Sequence, residues 1–232
     1  MFQRLAIDRG AILFDAELVA SPGAQLFKRE HWSARGALTE QSGGRGSIDF
    51  IEDDGKRWVM RRYMRGGMAA HFARDRYLFT GEERTRSFRE LRLLAALRQR
   101  ELPVPVPIAA CYDRALLTYS AALITERLPG ARPLSETLAA GHMDDSRWAA
   151  IGRCLRRFHD AGVQHVDLNA NNIMLGMNGE VWVLDFDRGR LREPGSWRES
   201  TLNRLARSLA KVSDGSGDWQ SGFALLRRAH DT

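Results

Sequence analysis

From Ser87 to Arg98 apolar residues recur with helical spacing: Leu93, Leu94 and Leu97 stand three, four and seven positions after Glu90, so one carboxylate shares an otherwise apolar stripe. Trp148, Ile151, Leu155 and Phe158 predict a second amphipathic helix ending near Gly162, and Leu202, Leu205, Leu209 and Val212 a third. A shorter helical piece follows at 218–229, and nothing in these closing helices suggests chemistry. Strands alternate with them. Short runs at 47–51 and 56–63 flank Asp53-Asp54-Gly55, and an Asp-Gly step between such runs predicts a hairpin. Pro103-Val104-Pro105-Val106-Pro107 must be extended, because each proline disfavours helix at the residue before it. Apolar runs at 115–119 and 121–125 end at Glu126-Arg127-Leu128-Pro129-Gly130, a strand leaving into a turn, where a hinge between two lobes would fall. Ile173-Met174-Leu175 and Val181-Trp182-Val183-Leu184 flank Gly176-Met177-Asn178-Gly179, again strand, turn, strand. Residues 1–40 show scattered aromatics at Phe14, Phe27 and Trp32 without a clean period, and read as a flexible lead-in or a partner surface.

A chain of 232 residues with 44% apolar content is long enough for a large domain or two lobes with a real core. No run of about 18 apolar residues occurs, and Met1-Phe2-Gln3-Arg4 lacks the apolar core of a signal peptide, so a cytoplasmic protein is expected. Cys111 and Cys154 have neither metal-ligand spacing nor a paired framework and read as buried thiols. Net charge is +6, with lysine only at 28, 56 and 211, so arginine carries nearly all the positive charge. Arginine suits bidentate contact with phosphate or carboxylate, which points to nucleotide, anionic lipid or nucleic acid without choosing among them. Nucleic acid is not an expected partner, since neither a recognition-helix motif nor aromatics interleaved on a basic strand are present.

The richest segment is His165-Val166-Asp167-Leu168-Asn169-Ala170-Asn171-Asn172, followed by Leu184-Asp185-Phe186-Asp187. Phosphoryl transfer from ATP needs oxygen-bearing side chains fixed around the γ-phosphate, and the spacing provides them. Asp167 would accept the proton of the attacking hydroxyl, Asn172 would hold one magnesium ion and Asp185 another. The intervening hairpin would carry Asn172 and Asp185 back to one place. Asp and Asn also serve simply as turn formers and strand caps, but spacing and hairpin together favour the chemical reading. Gly43, Gly44 and Gly46 lie in a turn ahead of the first hairpin, where backbone amides can approach phosphate, although such turns are often only turns. No lysine stands on the following strand; Arg61 keeps the charge there, with Arg62 a rival one residue out of register. Glu90 either pairs with Arg61 or reaches water from the edge of its stripe. Backbone groups at Glu126 and Leu128 are placed to meet adenine, while His159 and His165 read as hydrogen-bonded buried residues rather than metal ligands.

These residues resemble the 3-deoxy-D-manno-octulosonic acid (Kdo) kinases of lipopolysaccharide assembly. The likeness runs through Gly44-Arg45-Gly46, the tract from Trp58 to Gly67, Leu102-Pro103-Val104-Pro105, the segment from His165 to Ile173, and Asp185-Phe186-Asp187-Arg188-Gly189. It implies an α+β, two-lobed protein-kinase-like fold, with a small antiparallel-sheet N-lobe at 1–127 and a mainly helical C-lobe at 128–232. It also implies ATP- and Mg2+-dependent phosphorylation of the 4-hydroxyl of Kdo on a lipid A precursor, at the cytoplasmic face of the inner membrane, by a peripheral protein with Asp167 as base. Ala-Pro-Glu and a long activation segment are absent after Asp185, Asp187 replaces the usual glycine, and Asn169 stands where many protein kinases place a phosphate-contacting lysine. Arg62 and Arg65 are candidates for holding the substrate or membrane, against the reading of a solvated basic face. Rival readings are a heptose or aminoglycoside-type phosphotransferase and a catalytically dead kinase-like module.

Overall fold

The computed structural model describes residues 1–41, 48–64, 76–213 and 219–232. Two compact units emerge: residues 1–95 with 106–127, and residues 96–105 with 128–232.

The first unit is built on an antiparallel sheet. Its strands are β1 (Phe2–Ile7), β2 (Gly10–Asp15), β3 (Leu38–Gln41), β4 (Ile48–Asp53), β5 (Lys56–Arg62), β6 (Tyr77–Leu78), β7 (Pro107–Ala115) and β8 (Thr118–Glu126), with helix α1 (Arg29–Ala34) and the greater part of α2 (Arg86–Gln99), whose last residues from 96 on belong to the second unit. The order is β1-β2-β7-β8-β5-β4-β3, with β6 also paired to β8. The expected hairpin joins β4 and β5: Asp54 and Gly55 both take positive φ, 50° and 72°, as a two-residue hairpin turn of matching twist requires.

Residues 1–40 are not a loose lead-in. Strands β1 and β2 extend the sheet, and Val19, Leu26, Trp32 and Ala37 pack into one core cluster with Ile51, Trp58, Met60 and Ile124. The Trp32 indole N–H donates to the Leu26 carbonyl at 2.8 Å and its ring meets Trp58 edge to face. Alternation was invisible in β2 because Ala11, Ile12, Leu13 and Phe14 are all buried, as in a strand covered on both faces. Elsewhere in the unit α2 packs its stripe inward through Phe88, Leu91 and Leu94; Phe88 meets the Tyr112 ring and the Ser87 hydroxyl donates to the Cys111 carbonyl.

The second unit is mostly helical: α3 (Leu134–Ala139), α4 (Asp145–Asp160), α5 (Trp197–Val212) and α6 (Trp219–Asp231). Short strands β9 (Arg132–Pro133), β10 (Val163–Gln164), β11 (Ile173–Leu175), β12 (Val181–Val183) and β13 (Arg190–Leu191) complete it. Asp144 caps α4 by accepting the Arg147 N–H at 2.8 Å. Gly162 ends it at φ 73°, where a Cβ would meet the Arg192 carbonyl at 2.6 Å, so only glycine makes this turn. The expected division after residue 127 is joined by an earlier excursion, because residues 96–105 belong here. Val183 N–H donates to Pro103 O at 3.0 Å, Arg100 donates to Ala161 O, and Arg157 donates to Glu101 O.

Candidate active site

In the second unit the segment 165–172 is held by its own polar groups and by the hairpin that follows. A short 3₁₀ turn at Ala170–Asn172 is capped by Asn169, whose Oδ1 accepts the Asn171 N–H at 2.9 Å while its Nδ2 donates to the Asp167 carbonyl at 2.9 Å. The Asn172 amide also donates to the Asp167 carbonyl, at 3.2 Å, which fixes the orientation of that side chain. Strands β11 and β12 pair Ile173 with Val183, and Leu184 N–H donates to the Asn172 carbonyl at 2.8 Å. Asp185 is the next residue, so the hairpin brings Asp167, Asn172 and Asp185 into one neighbourhood.

His165 closes this knot. Its Nε2 lies 2.8 Å from the Leu184 carbonyl, and a carbonyl only accepts, so Nε2 carries the proton. Burial pushes the imidazole pKa down, which keeps the ring neutral. Phe186, buried, meets the His165 ring edgewise at 4.8 Å and stacks on Phe158 of α4 at 5.7 Å. Asp185 itself sits at φ 61°, a left-handed backbone tolerated by Asp better than by most residues and held here by Phe186 on one side and the β12 ladder on the other.

Donor chemistry around the hairpin fits magnesium. Among the described residues no group of three His, Cys, Asp or Glu side chains is poised for a metal. One amide and one carboxylate are the sparse oxygen set that magnesium completes with phosphate oxygens and water.

Helix α5, which showed no chemistry in its sequence, reaches the same loop twice. Arg204 Nη2 donates to Asp167 Oδ1, with the two side chains 46% and 51% exposed. One turn on, the Ser208 hydroxyl accepts the Ala170 N–H at 3.0 Å. Both stand beside the buried positions Leu202, Leu205 and Leu209, and only their four-residue spacing hinted at a shared face.

The first unit holds the other expected pair. Arg61 Nη2 donates to both Glu90 oxygens, at 2.7 and 2.6 Å, and the Tyr63 hydroxyl donates to Glu90 Oε2 at 2.6 Å. Glu90 is buried, so of its two readings the paired one holds. Strand alternation sends Arg62 elsewhere: it donates to the buried Asp49 at 2.9 Å, and Arg29 pairs with the other Asp49 oxygen. Glu126 ends β8, and its N–H is used by the Val106 carbonyl at 2.9 Å. Leu128 opens the longer segment of the second unit. Gly43, Gly44, Gly46 and Arg65 lie outside the described residues.

The remaining candidates are structural. His159 is buried with Nδ1 2.8 Å from His230 Nε2, and burial lowers its pKa to about 3. Burial raises both cysteine thiols to about 12, removing them from thiolate chemistry at neutral pH.

Comparison with known proteins agrees with this arrangement. A relative from Stenotrophomonas maltophilia (strain K279a), named 3-deoxy-D-manno-octulosonic acid kinase, is 47% identical over 226 residues, covering 96% of this chain and 90% of its own. A protein of the same name from Xanthomonas axonopodis pv. citri (strain 306) is likewise 47% identical with the same coverage. Among solved structures, a crystal structure of WbdD superposes with a TM-score of 0.51 at 20% identity over 84% of this chain, which spans 44% of that one; this likeness is of fold, a kinase-like α+β architecture. The family model described as Lipopolysaccharide kinase (Kdo/WaaP) family matches residues 29–224, and the chain belongs to that family.

Proposed function

We infer that the protein transfers the γ-phosphoryl group of ATP to the 4-hydroxyl of a Kdo residue on a lipid A precursor, a step of lipopolysaccharide core assembly. The observation that carries this is the knot joining Asp167, Asn172 and Asp185 through Leu184 and His165. The name shared by relatives at 47% identity supports the acceptor sugar.

Asp167 takes the proton of the attacking hydroxyl as that oxygen bonds to the γ-phosphorus; the bond from phosphorus to the bridging oxygen breaks and ADP leaves with the electron pair. Asn172 and Asp185 would hold Mg2+, which would supply charge against the phosphate oxygens. In the first unit the Arg61–Glu90 pair is read in the role of the usual lysine and its carboxylate, and the backbone groups of Glu126 and Leu128 are read as the adenine contacts. Only residues 188–196 separate Asp187 from α5, which gives a peptide acceptor little to dock on and suits a sugar.

The inferred location is peripheral, at the cytoplasmic face of the inner membrane. Among the described residues no helix is long and apolar enough to cross a membrane. Leu78, Leu116 and Leu117 are exposed together at one end of the first unit's sheet, beside Arg9 and Arg114, which suits shallow contact with an anionic bilayer.

The test incubates the protein and Asp167→Ala with magnesium, labelled ATP and Kdo-bearing lipid A precursor in anionic vesicles. Label on the Kdo 4-hydroxyl with the parent, lost in the variant, is the expected result. A folded, ATP-binding parent that labels no Kdo rejects this acceptor, and failure to co-sediment with the vesicles rejects the location.

A further inference from the structure

Transfer of a phosphoryl group concentrates negative charge on three equatorial oxygens, and an enzyme meets that charge with fixed cations as well as metal. The segment 165–172 supplies none. His165 is buried and neutral, and both ends of the Asn169 amide are used to brace the loop, one on the Asp167 carbonyl and one on the Asn171 N–H.

We propose that Arg204 of α5 is the missing cation: its guanidinium, bonded to Asp167, contacts the transferring phosphoryl group. This rests on the reading of Asp167 as base. A base lies within about 3 Å of the oxygen it deprotonates, and that oxygen stands about 3 Å from phosphorus before attack. A group bonded to the same carboxylate therefore reaches the phosphoryl oxygens without leaving its partner. The guanidinium is a planar fork with five N–H donors, and among the described residues its only hydrogen bond is to Asp167. It can keep Asp167 oriented through one nitrogen and offer others to phosphate.

The scaffold suits the task. Leu202, Leu205 and Leu209 anchor α5 in the core on either side of Arg204, and Ser208 ties the next turn to the Ala170 N–H, so helix and loop are held in register. The pair is half-exposed, which leaves it open to substrate. Arg204 neither gains nor loses a proton in the step: the acceptor proton goes to Asp167, phosphorus exchanges the bridging oxygen for the acceptor oxygen, and ADP departs.

The test uses Arg204→Ala and Arg204→Lys in the full chain, with two readouts. For turnover of the Kdo-bearing precursor, Arg204→Ala should lose about 10³-fold in kcat, in the range of arginines that serve phosphoryl transfer, with Arg204→Lys recovering part. KM values should change by no more than about threefold, the mark of an interaction made in the transition state. In calorimetry without acceptor, aluminium fluoride should tighten MgADP binding to the parent and fail to do so in Arg204→Ala, while MgADP alone binds both equally. Should Arg204→Ala not fold, Arg204→Gln, which keeps a donor for Asp167 without the charge, carries the same comparison.

A kcat loss below about tenfold, or aluminium fluoride tightening that persists in the variant, makes Arg204 a mere brace for Asp167 and overturns the proposal; so does a parent that shows no tightening. A parent that turns over no Kdo substrate yet shows Arg204-dependent tightening refutes the proposed acceptor and leaves this inference standing.

Discussion

Each unit carries an arginine–carboxylate pair at its candidate site, and the two differ in burial. Arg61 and Glu90 meet with the carboxylate 1% exposed and a tyrosine hydroxyl completing its shell; Arg204 and Asp167 meet with both side chains about half open to water. Coulomb attraction between exposed charges is screened and contributes little to folding, whereas a buried charge cannot lose its partner cheaply. The buried pair therefore fixes a strand against a helix, and the open pair leaves its carboxylate accessible to solvent. Burial, rather than residue type, separates an acid locked into the structure from one left open to solvent.

The comparison breaks most sharply at Glu90. Glu90→Ala leaves Arg61 and the Tyr63 hydroxyl without their shared acceptor, and the expected loss is about 3–5 kcal/mol of unfolding free energy, read from urea titration. A loss below about 1 kcal/mol would place Glu90 with the exposed pairs. Next in size is Tyr63→Phe, which removes one donor to a buried carboxylate and keeps the ring that Arg61 overlies at 4.7 Å. The expected cost is about 1.5–3 kcal/mol, with a smaller effect if water replaces the hydroxyl.

The sequence was most legible where spacing alone determines geometry. Asp54-Gly55 demanded a hairpin turn, and Asp167, Asn172 and Asp185 were tied by a hairpin that two apolar runs around a Gly-Met-Asn-Gly turn marked, its register then coming from the structure. Glu90 announced itself as an acid on an apolar stripe, though not whether it was paired, since that depends on which face of β5 Arg61 takes. Residues 1–40 were opaque for a physical reason: a strand covered on both faces loses the alternation that marks strands, and Val19, Leu26 and Trp32 pack without helical or strand period. Arg204 was hidden because it reaches Asp167 across 37 positions of chain, and a helix face reveals only which residues share it, not what they meet.

Burial also shapes a third pair, this one of two imidazoles. His159 and His230 lie 2.8 Å apart inside the second unit, and His230 in turn meets Asp231 at 2.9 Å. Desolvation foremost, then His230 and Arg198, hold the His159 pKa at about 3 against 6.5, with Asp160 opposing weakly. The unfolded chain therefore binds one more proton than the folded chain between those values, so this contribution is complete above pH 6.5 and is lost as pH falls toward 3. The slope within that window is at most about 1.4 kcal/mol per pH unit. Urea midpoints measured from pH 7 to pH 5 should fall accordingly, before the carboxylates that titrate lower contribute, and the fall should shrink in His159→Gln. An unchanged slope in that variant would mean that the buried imidazole is protonated in place, and that Asp160 and Asp231 outweigh desolvation at this site.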